Sequence, residues 1–142
     1  MSSINTPSLL QAYLESLGYA TVVSRNSVVI QIGNAANRHS AAFTFLADQL
    51  SITCQLAVLG DFAPEKLQHL TLAALDMNME ICPYAFAIIA SSEGDASLEE
   101  CPLVLTDTLL TSDLHVEEVA YALEKLLEAV AASQDILKLA SN

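Results

Sequence analysis

The sequence predicts an α+β domain built on a mainly antiparallel sheet, and three observations carry that prediction. Two blocks of residues, one before Gly60 and one after Pro83, are rich in β-branched side chains and alternate in hydropathy. Other stretches, around Leu10, Leu70 and Leu123, repeat their apolar residues at helical spacing instead. The strand blocks run as hairpins and do not alternate one by one with helices, so a parallel sheet of βαβ units does not fit. The predicted order is α-β-β-β-α-β-β-α, with the helices packed on one face. The pattern before residue 60 admits either three or four strands.

Each element has its own signals. Thr6 can cap a helix and Pro7 tolerates its first turn; Leu9, Leu10, Tyr13, Leu14 and Leu17 form its apolar stripe, and Gly18 supplies the stop. Tyr19–Ser24 reads as a strand, Arg25-Asn26-Ser27 as a turn, and Val28, Val29, Ile30 and Ile32 as a second strand. A loop is expected at 33–37. Between Ser40 and Leu59 the segments AAFTFLA and LSITCQLAVL follow, with Asp48-Gln49 expected to turn between them. Ala63-Pro64-Glu65 opens a second helix with Leu67, Leu70, Ala74 and Met77 along one stripe, and Cys82-Pro83 breaks it. Tyr84–Ala90 and Pro102–Leu109 read as two strands around an acidic turn. The last helix is expected from Leu114 to about Ala140, with Val116, Val119, Leu123, Leu126 and Val130 in a narrow seam.

Length and composition bound the function. At 142 residues the chain fits one domain, 1–142, that can bury a core without a disulfide or metal staple. Seventeen acidic residues stand against five basic ones, for a net charge of −12. That field repels phosphate backbones and anionic membranes, so neither nucleic acid nor a membrane surface is an expected partner. The opening residues lack the cationic and apolar regions of a secretory signal, and no apolar run approaches the length that spans a bilayer. The expected location is the cytoplasm. Cys54, Cys82 and Cys101 are odd in number, widely spaced and form no CxxC pair, so all three are expected as buried small hydrophobes and not as a zinc, redox or disulfide framework.

No constellation of catalytic residues stands out. His39, His69 and His115 have no His or Cys partner at metal-ligand spacing, and no nucleophile elbow or glycine-rich phosphate loop occurs. His115 can instead open the last helix, with Glu118 in the position a capping box uses. Glu93, Asp95, Glu99 and Glu100 lack the ligand alternation of a calcium loop. Glu117, Glu118, Glu124 and Glu128 read as a solvated helix face. No cofactor and no enzymatic activity are expected. Function is expected in the apolar surface: Met77, Met79, Leu72 and Leu75 around the second helix, and Ile136, Leu137 and Leu139 in the last helix, exceed what a small core requires.

The segment from Gly60 to about Leu137 resembles the C-terminal half of type III secretion chaperone-like proteins, a group that includes the YbjN-like bacterial regulators. The resemblance rests on FAPEKLQHLTLAALDMN with its Asn78, on the strand pair YAFAIIA and PLVLTDTLL, and on TSDLHVEEVAYALEKLLEAVAAS. The preceding helix and strands agree in order, so it covers nearly the whole chain. Ser133-Gln134-Asp135 stands where secretion chaperones carry an aromatic residue, and Ile81-Cys82-Pro83 replaces their glycine-rich lead into the fourth strand. The resemblance implies a secretion-chaperone-like fold and a homodimer that holds an extended segment of a client protein by sheet-edge addition. It implies Leu10, Leu14, Val28 and Ile30 as client-groove positions, and Leu67, Leu70, Ala74 and Met77 as dimer positions. Core packing is the competing reading for each. A regulatory partner in a bacterial stress or envelope-maintenance response is the alternative role.

Overall fold

A computed structural model describes residues 3–33, 38–89 and 98–140. Its elements are α1 (Pro7–Ser16), β1 (Thr21–Ser24), β2 (Ser27–Gly33), β3 (Arg38–Leu46), β4 (Gln49–Val58), α2 (Leu67–Met77), β5 (Ala85–Ile88), β6 (Pro102–Leu110) and α3 (Val116–Ala140). Four strands therefore precede α2. The six strands form one antiparallel sheet in the order β1-β2-β3-β4-β6-β5. The expected loop at 34–37, and Glu93 and Asp95 of the expected acidic turn, lie outside the described residues, as does the side chain of Leu139.

The chain divides into two compact units, Met1–Cys54 with Thr106–Glu124 and Gln55–Leu105 with Lys125–Asn142. In the first unit, register turns alternation into a core. Val28 pairs with Phe43 and Phe43 with Ile52, while Ile30 pairs with Ala41 and Ala41 with Cys54. All six are fully buried, and the side chains between them face the opposite side of the sheet. Two tight turns set that register. The β1–β2 turn places Arg25 at φ 54° and the β3–β4 turn places Ala47 at φ 53°, the left-handed conformation that two-residue hairpins need at their first turn position. The second turn is Ala47-Asp48, one residue earlier than expected, because alanine carries no turn signal.

Leu10 and Leu14 stand one helical turn apart and are fully buried in this unit's core. Thr6 caps α1 by accepting from the Leu9 amide at 3.2 Å, and Gly18 ends it at φ 98°. Ile4 is also buried; its amide donates to the Leu114 carbonyl at 2.8 Å, beside a bridge between Ser3 and His115. The His115 amide donates to Glu118 at 2.9 Å, the half of a capping box the sequence suggests, and α3 begins at Val116.

The second unit is organised around Leu59, Phe62, Leu70, Cys101, Leu103 and Ile136. The chain enters α2 through two short 3-10 turns, Leu59–Asp61 and Pro64–Lys66, so the helix proper starts at Leu67 and not at Pro64. Gly60 fits closely there: a Cβ at this position would meet the Glu99 carbonyl oxygen at 3.0 Å, so a side chain would push that backbone aside by a few tenths of an ångström. The β4–β6 pairing is bracketed in each unit by a backbone bond, Thr111 amide to Asp48 carbonyl (2.9 Å) in the first and Leu59 amide to Cys101 carbonyl (3.0 Å) in the second. β5 is shorter than its apolar run, and Tyr84, expected to begin it, lies before the strand and is buried. Along α3 the buried side is Val119, Ala122 and Leu123 in the first unit and Leu126, Ala129, Val130, Ser133 and Ile136 in the second. Val116, expected in the seam, is only half-buried. Ser133 is tolerated because its hydroxyl donates to the Val130 carbonyl at 2.7 Å.

Candidate functional site

In the first unit, Leu10, Leu14, Val28 and Ile30 come together, but in the interior: none exceeds 1% exposure. Their surface is already covered by this chain. The apolar side chains that reach solvent on the same elements are different ones. Leu9 and Leu17 are exposed at the two ends of α1, and Val22 and Val23 are 67% and 41% exposed on β1. Among the described residues, β1 is an outermost strand of the sheet and pairs on one side only, with β2, which leaves a row of its backbone donors and acceptors for a further strand. A polar relay fixes β1 to α1: the Gln11 side-chain amide donates to the Thr21 hydroxyl, which donates to the Glu15 carboxylate, both at 3.0 Å. The result is an edge tied to α1, with valine side chains on both of its faces.

In the second unit, Leu70 and Ala74 are buried at one helical turn's spacing, and Leu67 and Met77 are half-buried beside them. The outward side of α2 mixes exposed Gln68, His69 and Asp76 with large apolar residues. Leu72 and Leu75 are about 60% exposed and Met79, just beyond the helix, is 89% exposed. An open groove of about 190 Å³ runs between α2 and β5, lined by Leu70, Ala74, Leu75, Phe86, Ile88 and Leu103 among others. Asn78, which the sequence marks without giving it a task, holds this groove in shape. Its side-chain oxygen accepts from the Phe86 amide at 2.7 Å, tying the end of α2 to β5. β5 is the sheet's other outermost strand.

A second, more polar groove of about 280 Å³ in this unit is lined by Glu80, Ile81, Cys82, Lys125, Glu128, Ala129 and Ala132, with Lys125 paired to Glu128 at 3.2 Å. Cys54 and Cys101 are buried as expected, but Cys82, expected to be buried too, is exposed there. Burial pushes the Cys54 thiol up to about 12, which leaves it protonated and unreactive near neutral pH. In the first unit, Asp107 on β6 is also shifted upward by desolvation, a shift its bond from the Thr108 amide opposes; its second carboxylate oxygen is buried without a hydrogen-bond partner. His115 Nδ1 is similarly buried and unpartnered. Among the described residues, no group of three or more His, Cys, Asp or Glu could hold a metal ion, and no helix is long and apolar enough to cross a membrane.

The sheet order, the lengths of the helices and their place in the chain define a secretion-chaperone-like fold, as the sequence resemblance implies. Two solved structures share it. One is YbjN from E. coli, described as a candidate transcription regulator, with a TM-score of 0.66 at 12% identity over 94% of this chain and 95% of that one. The other is the ExsC–ExsE complex, with a TM-score of 0.61 at 12% identity over 96% of this chain and 97% of that one. No protein-family model matches the sequence. No curated protein matches it either.

Proposed function

We propose that this chain is a non-enzymatic, chaperone-like protein-binding domain of the cytoplasm, in which residues 1–142 act as one domain and two copies form a dimer. The observation that carries the reading is the open edge of β1, where Val22 and Val23 are exposed beside α1. An extended client segment would add there as a further strand, with main-chain hydrogen bonds giving affinity and alternate side chains giving selectivity. The fold shared with ExsC, solved in complex with ExsE, supports a protein partner for this architecture. The likeness to YbjN, described as a candidate transcription regulator, supports the second reading, a regulatory partner in a bacterial stress or envelope-maintenance response.

The dimer contact in this reading is the outward side of α2. Leu70 and Ala74 are interior, so the contact would run through Leu72, Leu75 and Met79, flanked by the half-buried Leu67 and Met77. So many large apolar side chains on one short stretch exceed the scatter expected of a solvated surface, and methionine suits an adaptable contact.

Paired variants test the two assignments separately. Leu72→Asp with Leu75→Asp should lower the mass in light scattering from about 30 kDa to the 15.2 kDa of one chain. Val22→Asp with Val23→Asp should leave that mass unchanged but remove the client captured from native cytosol and identified by mass spectrometry. A wild-type chain that is already 15.2 kDa would sink the dimer. Capture unchanged in the Val22/Val23 variant would sink the β1 site.

A further inference from the structure

We propose that the β1 edge selects its client segment by charge order, taking a strand with an acidic residue near its N-terminal end and a basic residue about four positions later. This rests on the reading of β1 as the client site and adds the chemistry of the segment it accepts. The two ends of β1 are marked by opposite charges. At Thr21, the Glu15 carboxylate accepts from the threonine hydroxyl at 3.0 Å and is held beside the start of the strand. At Ser24, the turn begins with Arg25, whose backbone is fixed at φ 54° and whose side chain is exposed.

Four residues of strand separate the ends by roughly 13 Å. That exceeds the screening length of about 8 Å at physiological salt, so each end acts on the nearest residue of an incoming strand and not on its average charge. Neighbouring strands of this sheet run antiparallel. A client strand that continues the pattern brings its N-terminal end to Arg25 and its C-terminal end to Glu15. Between the ends, the added strand meets Val22 on one face and Val23 on the other, so short apolar or β-branched residues fit both sides. The charge order also counters the chain's own field. At a net charge of −12 the surface as a whole disfavours acidic segments, and Arg25 supplies a positive charge at this end of the edge.

The test uses the full chain and two blocked peptides of identical composition, Ser-Asp-Val-Thr-Val-Lys-Ser and Ser-Lys-Val-Thr-Val-Asp-Ser, titrated at low salt by NMR. The first should bind about fivefold more tightly, as two exposed ion pairs allow, and the gap should close at 0.5 M salt. The doubly substituted chain Glu15→Lys with Arg25→Glu, checked for an unchanged circular dichroism spectrum, should reverse the preference. Equal affinities at low salt, or a preference the double substitution does not reverse, would overturn the charge-order rule and leave the β1 site standing. A preference for the Lys-first peptide would overturn the antiparallel direction and the rule with it. Failure of both peptides to bind would overturn the β1 site itself.

Discussion

α1 and α2 are two versions of one device. They are ten and eleven residues long, and each buries an aliphatic pair one turn apart, Leu10 with Leu14 and Leu70 with Ala74. They differ at their ends and on their outward sides. α1 starts on a side-chain cap at Thr6 and stops at a left-handed Gly18. α2 has no side-chain cap; it grows out of a 3-10 turn and is secured at its far end through Asn78 and Phe86. α1 is stabilised locally and shows solvent only isolated leucines at its ends. α2 is held by its contacts and exposes Leu72 and Leu75 among polar residues on its outward side. A helix that depends on packing on both sides is the one expected to have a partner on its outward side.

The sharpest way to break the contrast is to remove the inward leucines. Leu14→Ala should cost about 3 to 5 kcal/mol in chemical denaturation, because the side chain is completely enclosed and the site cannot collapse. Leu70→Ala should cost less, about 2 to 3 kcal/mol, because it borders an open groove that solvent already reaches. Equal losses would mean that the α2 groove is closed in solution and that the two helices are equivalent. A smaller loss for Leu14 would reverse the comparison.

The same contrast explains which parts of the molecule are legible in sequence. Thr6, Pro7 and Gly18 mark α1 because its ends are decided by local chemistry. β2, β3 and β4 are legible because one buried side imposes strict alternation. The His115–Glu118 cap is legible for the same local reason. The failures lie where long-range packing decides. The two 3-10 turns before α2 lie outside the expected pattern, and the close approach of Gly60 to Glu99 in the first of them joins residues far apart in sequence. Ala47 adopts a turn conformation its side chain disfavours, because the paired strands require it. Leu10, Leu14, Val28 and Ile30 illustrate the limit for the candidate site. An apolar stripe identifies which residues seek cover, not whether the chain or a partner supplies it. Leu72 and Leu75 were visible as surplus, yet only the structure separates them from Leu70 and Ala74 on the same helix.

A second prediction concerns the caps. Thr6→Ala removes the acceptor for the Leu9 amide and should cost about 1 kcal/mol. Lys66→Ala, at the corresponding place before α2, removes no capping bond to the helix and should cost less than the change at Thr6. A loss at Lys66 as large as at Thr6 would show that α2 too is fixed at its N-terminus.

The smallest expected effect lies along β6, whose two parts carry the contrast within one strand. In the second unit Leu103, Val104 and Leu105 are all buried; in the first, Thr106 to Leu110 are half-buried or exposed, and Asp107 carries the orphaned oxygen. Desolvation raises the Asp107 carboxyl above its ordinary 3.8, so the fold retains a proton there that the unfolded chain releases. The stability linked to this group is fully present below pH 3.8 and is lost as pH rises through the folded-state value, the opposite sign to a salt-bridged aspartate. Asp107→Asn removes that dependence while keeping the shape. Stability curves of the two chains against pH should therefore converge or cross at the acidic end. The asparagine variant should gain on the wild type as pH rises above 3.8, then hold a constant margin at neutral pH. Parallel curves across the whole range would show that the carboxylate is solvated in the folded chain and that this part of β6 is as open as the β1 edge.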